Sequence, residues 1–294
     1  MKVVRPITLG NGLTLISTNA TAADPAYSSG TTYANGARVT VGQRTFESLQ
    51  DGNIGQPTTD IAWWLDVGAS NPYAMFDQSN ASQTSRAGMI EVVVSAVGRI
   101  DALALLNLNA ASVDIEMETT LDGTFYSQSF NLVSNSGINN WYDYYYEPIT
   151  RKFDFVALGV PNFANPTITL RIHEPGGTAK VGVAIIGRSK DLGDVTYGAK
   201  VGIQDYSRKE RDDFGNWSIV PRAYSKRGTY QLVVDSARVD EISMILADYR
   251  AEPVLWVGSE QYASTWIYGF YRDFSVEISF PTKSYLNLEL EGLT

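Results

Sequence analysis

The chain has 294 residues, 44% apolar and 19% charged, with a formal net charge of −9. That length suits two or three domains, and the acidic balance argues against sequence-independent nucleic-acid binding and against adsorption to anionic lipid, which both need a basic surface. With no cysteine and a single histidine, His173, the composition excludes disulfides, thiolate nucleophiles, Cys-ligated zinc and His-cluster metal centres.

Residues 1–23 read as an N-terminal arm, a strand followed by a turn at Gly10-Asn11-Gly12. Arg5, Pro6, Gly10 and Gly12 break its apolar run too often for a signal peptide. No run of about 18 apolar residues follows anywhere, so no membrane span is expected. The protein is expected to stay where it is made or to leave as part of a larger particle.

Residues 24–77 form a small aromatic module. Ala37, Val39 and Val41 alternate along a first strand, and a turn at Gly42-Gln43-Arg44 leads to a second over Thr45–Leu49. A Gly/Asn/Pro loop from Asp51 to Pro57 then reaches the pair Trp63-Trp64. So small a module builds little core, so its rings either staple it together or face a partner. Tyr33, Trp63, Trp64 and Tyr73 are the candidates for a platform that stacks sugar rings. Neighbouring strand residues point to opposite faces, so one of the two indoles can be core while the other is exposed, and the alternative is a staple core with one tryptophan buried and the other rings packed around it.

Gln78–Gly88 is polar and turn-rich and reads as a connector. From residue 89 to 198 the pattern is β throughout, with strands expected over Met89–Val97, Ala102–Leu108, Val113–Glu118, Phe125–Leu132, the aromatic run Trp141–Tyr146, Phe153–Leu158, Thr167–Ile172 and Val181–Ile186. That spacing predicts a β-sandwich of jelly-roll type. His173-Glu174 before Pro175-Gly176-Gly177 is read as an incidental histidine at a strand end.

Residues 199–294 predict a small α+β domain. It opens on a charged loop, Asp205–Asn216, and holds one helix, Ala237–Tyr249, with Ser236 as cap and Val239, Ile242, Leu246 and Tyr249 on one face. Strands are expected over Ser218–Val220, Tyr230–Val234, Val254–Val257, Thr265–Tyr271, Asp273–Phe280 and Tyr285–Leu290. In the charged loop Arg208, Lys209, Arg211, Asp212 and Asp213 are the candidates for a subunit contact. The carboxylates there lack the spacing of a calcium loop and are mixed with cations, so no metal is expected. The fold class is therefore mainly β: a small aromatic β-module, a β-sandwich, and a C-terminal α+β domain with one helix. Gly-x-Ser-x-Gly and phosphate-loop spacings are absent from the sequence, so neither an enzyme nor a cofactor is expected.

The pattern Tyr33-x-x-Gly36-x-x-Val39-x-Val41, Phe46-x-Ser48-Leu49, Asn53-x-Gly55-x-Pro57 and Trp63/Trp64-x-x-Val67-Gly68 resembles small carbohydrate-binding modules of the chitin-binding type. It is most similar to versions inside tailed-bacteriophage virion proteins, where a segment like Asn71–Asp77 follows, here with Pro72-Tyr73 in place of the usual Arg-Trp. Those proteins continue with segments like Trp141-Tyr142-Asp143-Tyr144, Gly202–Gly215 and Tyr268–Phe274. The resemblance implies a non-enzymatic virion component of the tail or baseplate, assembled in the host cytoplasm. Its partners would be copies of itself and other phage structural proteins, reached through subunit assembly or fibre attachment. The alternatives are a receptor protein that attaches to host-surface glycan and a head or neck decoration protein.

Overall fold

Apolar alternation at period two organises the chain. In the strand Thr84–Ala96, Ile90, Val92, Val94 and Ala96 are buried while the residues between them are half-exposed, as a sheet with one wet face requires. The computed structural model of the protein describes residues 1–134, 140–148, 150–211 and 214–293. Strand accounts for 55% and helix for 10%, which makes the fold mainly β and β-sandwich-like, as the sequence predicts. The chain divides into two compact units, Ile7–Ala184, and Met1–Pro6 together with Ile185–Thr294.

The unit Ile7–Ala184 holds a six-stranded sheet in the order Gly123–Asn131, Ser112–Thr119, Thr167–Val181, Thr84–Ala96, Gly12–Thr18, Thr8–Leu9. Leu170 stands between Val92 and Ile115 in register, and all three are fully buried. The antiparallel pair Ala102–Leu106 and Phe155–Leu158 lies apart from this sheet, and Phe130 of the edge strand packs on Phe155 at 4.7 Å. A separate three-stranded sheet, Arg38–Val41, Arg44–Ser48 and Trp64–Ala69, is the aromatic module.

Three expectations fail in this unit. The connector is shorter, because Thr84–Gly88 already pairs with the strand Thr167–Val181. Pro175-Gly176-Gly177 is not a turn between strands but a bulge inside one long strand, between Glu174 and Thr178, with Gly176 at φ 76°. Trp141–Tyr146 is an α-helix, not a strand. The Asn140 side chain accepts from the Asp143 N–H, Asp143 sits in the first turn, and Trp141/Tyr145 and Tyr142/Tyr146 meet one turn apart.

The other unit is built on one antiparallel sheet. Its order is Val183–Asp191, Lys2–Pro6, Val254–Val257, Trp266–Glu277, Lys283–Gly292, Tyr224–Asp235, and Tyr224–Asp235 then pairs with both Asp194–Val195 and Lys200–Asp205. The first residues are thus no free arm, since Lys2–Pro6 is paired on both sides with strands far along the chain. The helix Val239–Asp248 buries Ile242, Ile245 and Leu246 in a core that includes Tyr230, Trp256, Leu286 and Leu288. Ser236 does not cap it; its hydroxyl donates to the Phe280 carbonyl at 3.0 Å. The two strands expected over Thr265–Phe280 are one strand, Trp266–Glu277, bulged between Tyr271 and Asp273. On the opposite face of this sheet Asp273, Ser275 and Glu277 pair with Glu289, Asn287 and Tyr285.

Candidate functional site

The aromatic module places its rings inward. Tyr33, Val39 and Trp64 form its core, with Tyr27, Ala37, Phe46 and Trp63 packed around them. Trp64 is 2% exposed and stands edge-on to Tyr27 at 5.7 Å and to Tyr33 at 5.3 Å. Its indole N–H donates to the Gln56 carbonyl at 3.0 Å, which also accepts from the Tyr27 hydroxyl at 2.8 Å. The ring faces are covered by one another, so Tyr33 and Trp64 are staples and cannot stack a sugar. Trp63 is half-buried against the same cluster.

Tyr73 is set apart from these rings. It lies on the short helical segment Asn71–Phe76 and lines an open cleft of about 350 Å³ with Phe76, Gln43, Arg44, Asp77 and Gln78. The four rings proposed for one platform are therefore not brought together. At the cleft, the Arg44 guanidinium donates to Asp66 at 2.5 Å and holds that carboxyl below the usual carboxylate range. Gln78 adopts φ 64°, a left-handed conformation uncommon outside glycine.

His173 sits in a ladder of cross-strand ion pairs. Its Nε2 is 2.8 Å from Asp114, and Arg171 donates to Glu91 at 2.8 Å and Glu116 at 3.0 Å. Partial burial pushes the Asp114 carboxyl up, but hydrogen bonds from Ser129 and His173 outweigh it and hold it below the ordinary value. Glu174 is buried and pairs with Arg151. These are neighbours across strands, each already partnered, which is a sheet-stabilising pattern. Among the described residues no three His, Asp or Glu converge to hold a metal, and no helix is long and apolar enough to cross a membrane.

The charged segment expected to be a loop is a β-ribbon. Lys200–Asp205 pairs with the start of Tyr224–Asp235, and Arg208–Arg211 pairs with Trp217–Val220. The Tyr206 N–H to Ala223 carbonyl and Arg222 N–H to Ser207 hydroxyl bonds bridge the two ladders. Every residue of Arg208–Arg211 and Trp217–Val220 is exposed. The Lys209 ammonium and the Ser207 hydroxyl hold Asp205 well below the usual carboxylate range. Of the predicted contact residues, Arg208, Lys209 and Arg211 lie on this ribbon, and Asp212 and Asp213 lie outside the described residues.

Sequence reasoning missed the apolar half of the ribbon. Trp217 is 63% and Ile219 60% exposed, directly opposite Arg211 and Lys209. The signal was present: Arg-Lys-Glu-Arg and Trp-Ser-Ile-Val stand on either side of Phe214-Gly215, as hairpin strands do around a turn. It also missed the helix of exposed rings, Trp141–Tyr146, none of them buried.

No known protein-family model matches the chain, and a search of curated proteins finds no significant relative.

Proposed function

We propose that this chain is a non-enzymatic structural protein of a tailed-phage virion, in the tail or baseplate, that holds copies of itself or neighbouring virion proteins. The ribbon carries the reading. A two-stranded ribbon alone in water is marginal at best, yet Arg208–Arg211 and Trp217–Val220 form a two-stranded sheet of their own in which every residue is exposed. It also presents Trp217 and Ile219 to solvent. Such a projection gains its stability by lying against another chain. The virion placement rests on the resemblance, and localisation to the particle follows from it. The experiment is to purify particles carrying either the wild-type chain or Trp217→Ala/Ile219→Ser. Wild type co-sediments with the particles and the variant, folded by circular dichroism, is depleted at least tenfold. A wild-type chain that never co-sediments with particles overturns the proposal.

A second reading, glycan binding, is favoured by the cleft at Tyr73. An aromatic ring beside Gln43, Gln78, Arg44 and Asp77 pairs an apolar face with hydrogen-bonding groups, the chemistry that a sugar ring needs. Titration with cell-wall or lipopolysaccharide glycans, followed by intrinsic fluorescence, should then saturate, and Tyr73→Ala should weaken binding about tenfold while Trp63→Ala leaves it unchanged. An absence of any saturable response removes this reading.

A further inference from the structure

We infer that the ribbon of one copy lies across the outer sheet face of a second copy of this chain, in a head-to-tail contact. The inference rests on the assembly reading and names its partner. On the ribbon Lys209 is directly opposite Ile219 and Arg211 directly opposite Trp217. Directly opposite residues share a face, so two cations and two large apolar side chains point the same way.

The outer face of the C-terminal sheet is the matching surface. Asp273 is directly opposite Glu289, and Glu277 is directly opposite Tyr285. All three carboxylates are exposed, and among the described residues none is in an ion pair. Like charges placed opposite one another destabilise a strand pair. A cationic face laid over them relieves that repulsion, and Tyr285, with Phe280 against it at 6.5 Å, offers rings for Trp217 and Ile219 to cover.

The charge balance of the whole chain points the same way. Residues 197–228 carry seven Lys or Arg against four Asp or Glu, although the chain as a whole is −9. A basic projection on an acidic body is complementary to a second copy of that body. Trp217 and Ile219 are the exposed apolar side chains placed on the face of Arg211 and Lys209, whereas Val220, opposite Arg208, lies on the other face. Because the two surfaces differ, the contact is heterologous, and repetition gives a ring or an open filament.

Sedimentation velocity of the full chain tests this. Wild type is expected to self-associate at about 50 mM salt and to dissociate at about 500 mM, where surface charges are screened. Lys209→Glu/Arg211→Glu and, separately, Glu277→Lys/Glu289→Lys should each weaken association roughly tenfold. An equimolar mixture of the two variants should recover association with the two variants alternating, because the acidic ribbon of one fits the basic face of the other and the unaltered ribbon of the second fits the unaltered face of the first. Circular dichroism confirms that each variant is folded. A mixture that remains as weak as its components overturns the pairing of these two surfaces. A wild-type chain that is monomeric at low salt, in which Trp217→Ala/Ile219→Ser still prevents incorporation into particles, overturns the self-contact and leaves the assembly reading standing. A monomer whose incorporation ignores the ribbon overturns both.

Discussion

Trp64→Ala unfolds the small sheet of residues 38–69 while the C-terminal unit keeps its own transition. The core of that sheet is Tyr33, Val39 and Trp64. Removing the indole deletes two edge-to-face ring contacts and leaves the Gln56 carbonyl with the Tyr27 hydroxyl alone. Truncating a buried tryptophan costs about 3–5 kcal/mol, which is more than a module of this size holds in reserve. Trp63→Ala, at a half-buried position on the rim of the same cluster, should cost about 1 kcal/mol. Hydrogen exchange read by mass spectrometry separates them: Arg38–Ser48 and Trp64–Ala69 lose protection in the first variant and keep it in the second. Equal loss in both would mean that the two indoles share the core.

Gly269→Ala is expected to open the C-terminal sheet. A Cβ at this position would lie 2.2 Å from the Glu291 carbonyl oxygen and 2.7 Å from the Gly292 Cα. Both are backbone atoms of the neighbouring strand, so no side chain can swing aside. The strands must part, and the Gly269 carbonyl that accepts from the buried Trp256 indole at 3.1 Å moves with them. The cost is about 3 kcal/mol or more, a fall on the order of 10 °C in melting temperature. Gly202→Ala is the control, since a Cβ there meets nothing within 4 Å. It should shift stability by no more than about 0.5 kcal/mol. Differential scanning calorimetry reads both, and an unchanged Gly269→Ala melt would show that the strands do not approach this closely.

What was legible in the sequence was local. The buried alternation of Ile90, Val92 and Val94 and the helical spacing of Ile242 and Leu246 each lie within a dozen residues, and both elements form where they are expected. Trp141–Tyr146 misled because aromatic residues favour strands, whereas Asn140 as a cap and Asp143 in the first turn favour a helix there. The ribbon was obscured by its charges. Arg208–Arg211 has no buried side, so no hydrophobic period marks it, and only its mirror relation to Trp217–Val220 announces a strand pair. At the aromatic module, the rule that adjacent strand residues face opposite ways does not apply, because Trp63 lies in the turn before the strand Trp64–Ala69 and packs half-buried on the same cluster as Trp64. Which indole is core depends on the Thr45/Phe46 bulge and on the Gln56 carbonyl, both set by pairing across the module. The place of Lys2–Pro6 was out of reach altogether, because its partners stand near Asp191 and Val257.

That last pairing has a kinetic consequence during synthesis. Lys2 meets Val257 in the finished sheet. At ribosomal speeds of roughly 5–20 residues per second, the leading strand waits on the order of ten to fifty seconds for that neighbour to emerge. Val3 and Val4, destined to be sealed away, gain a first strand partner only when Ser189 and Lys190 emerge and lack the second until Leu255 and Trp256 follow. Ordering of this sheet is thereby deferred until Val254–Val257 has emerged, which makes it a slow, high-contact-order step. Neighbouring polysomes at high expression are the setting in which such waiting strands find the wrong companion.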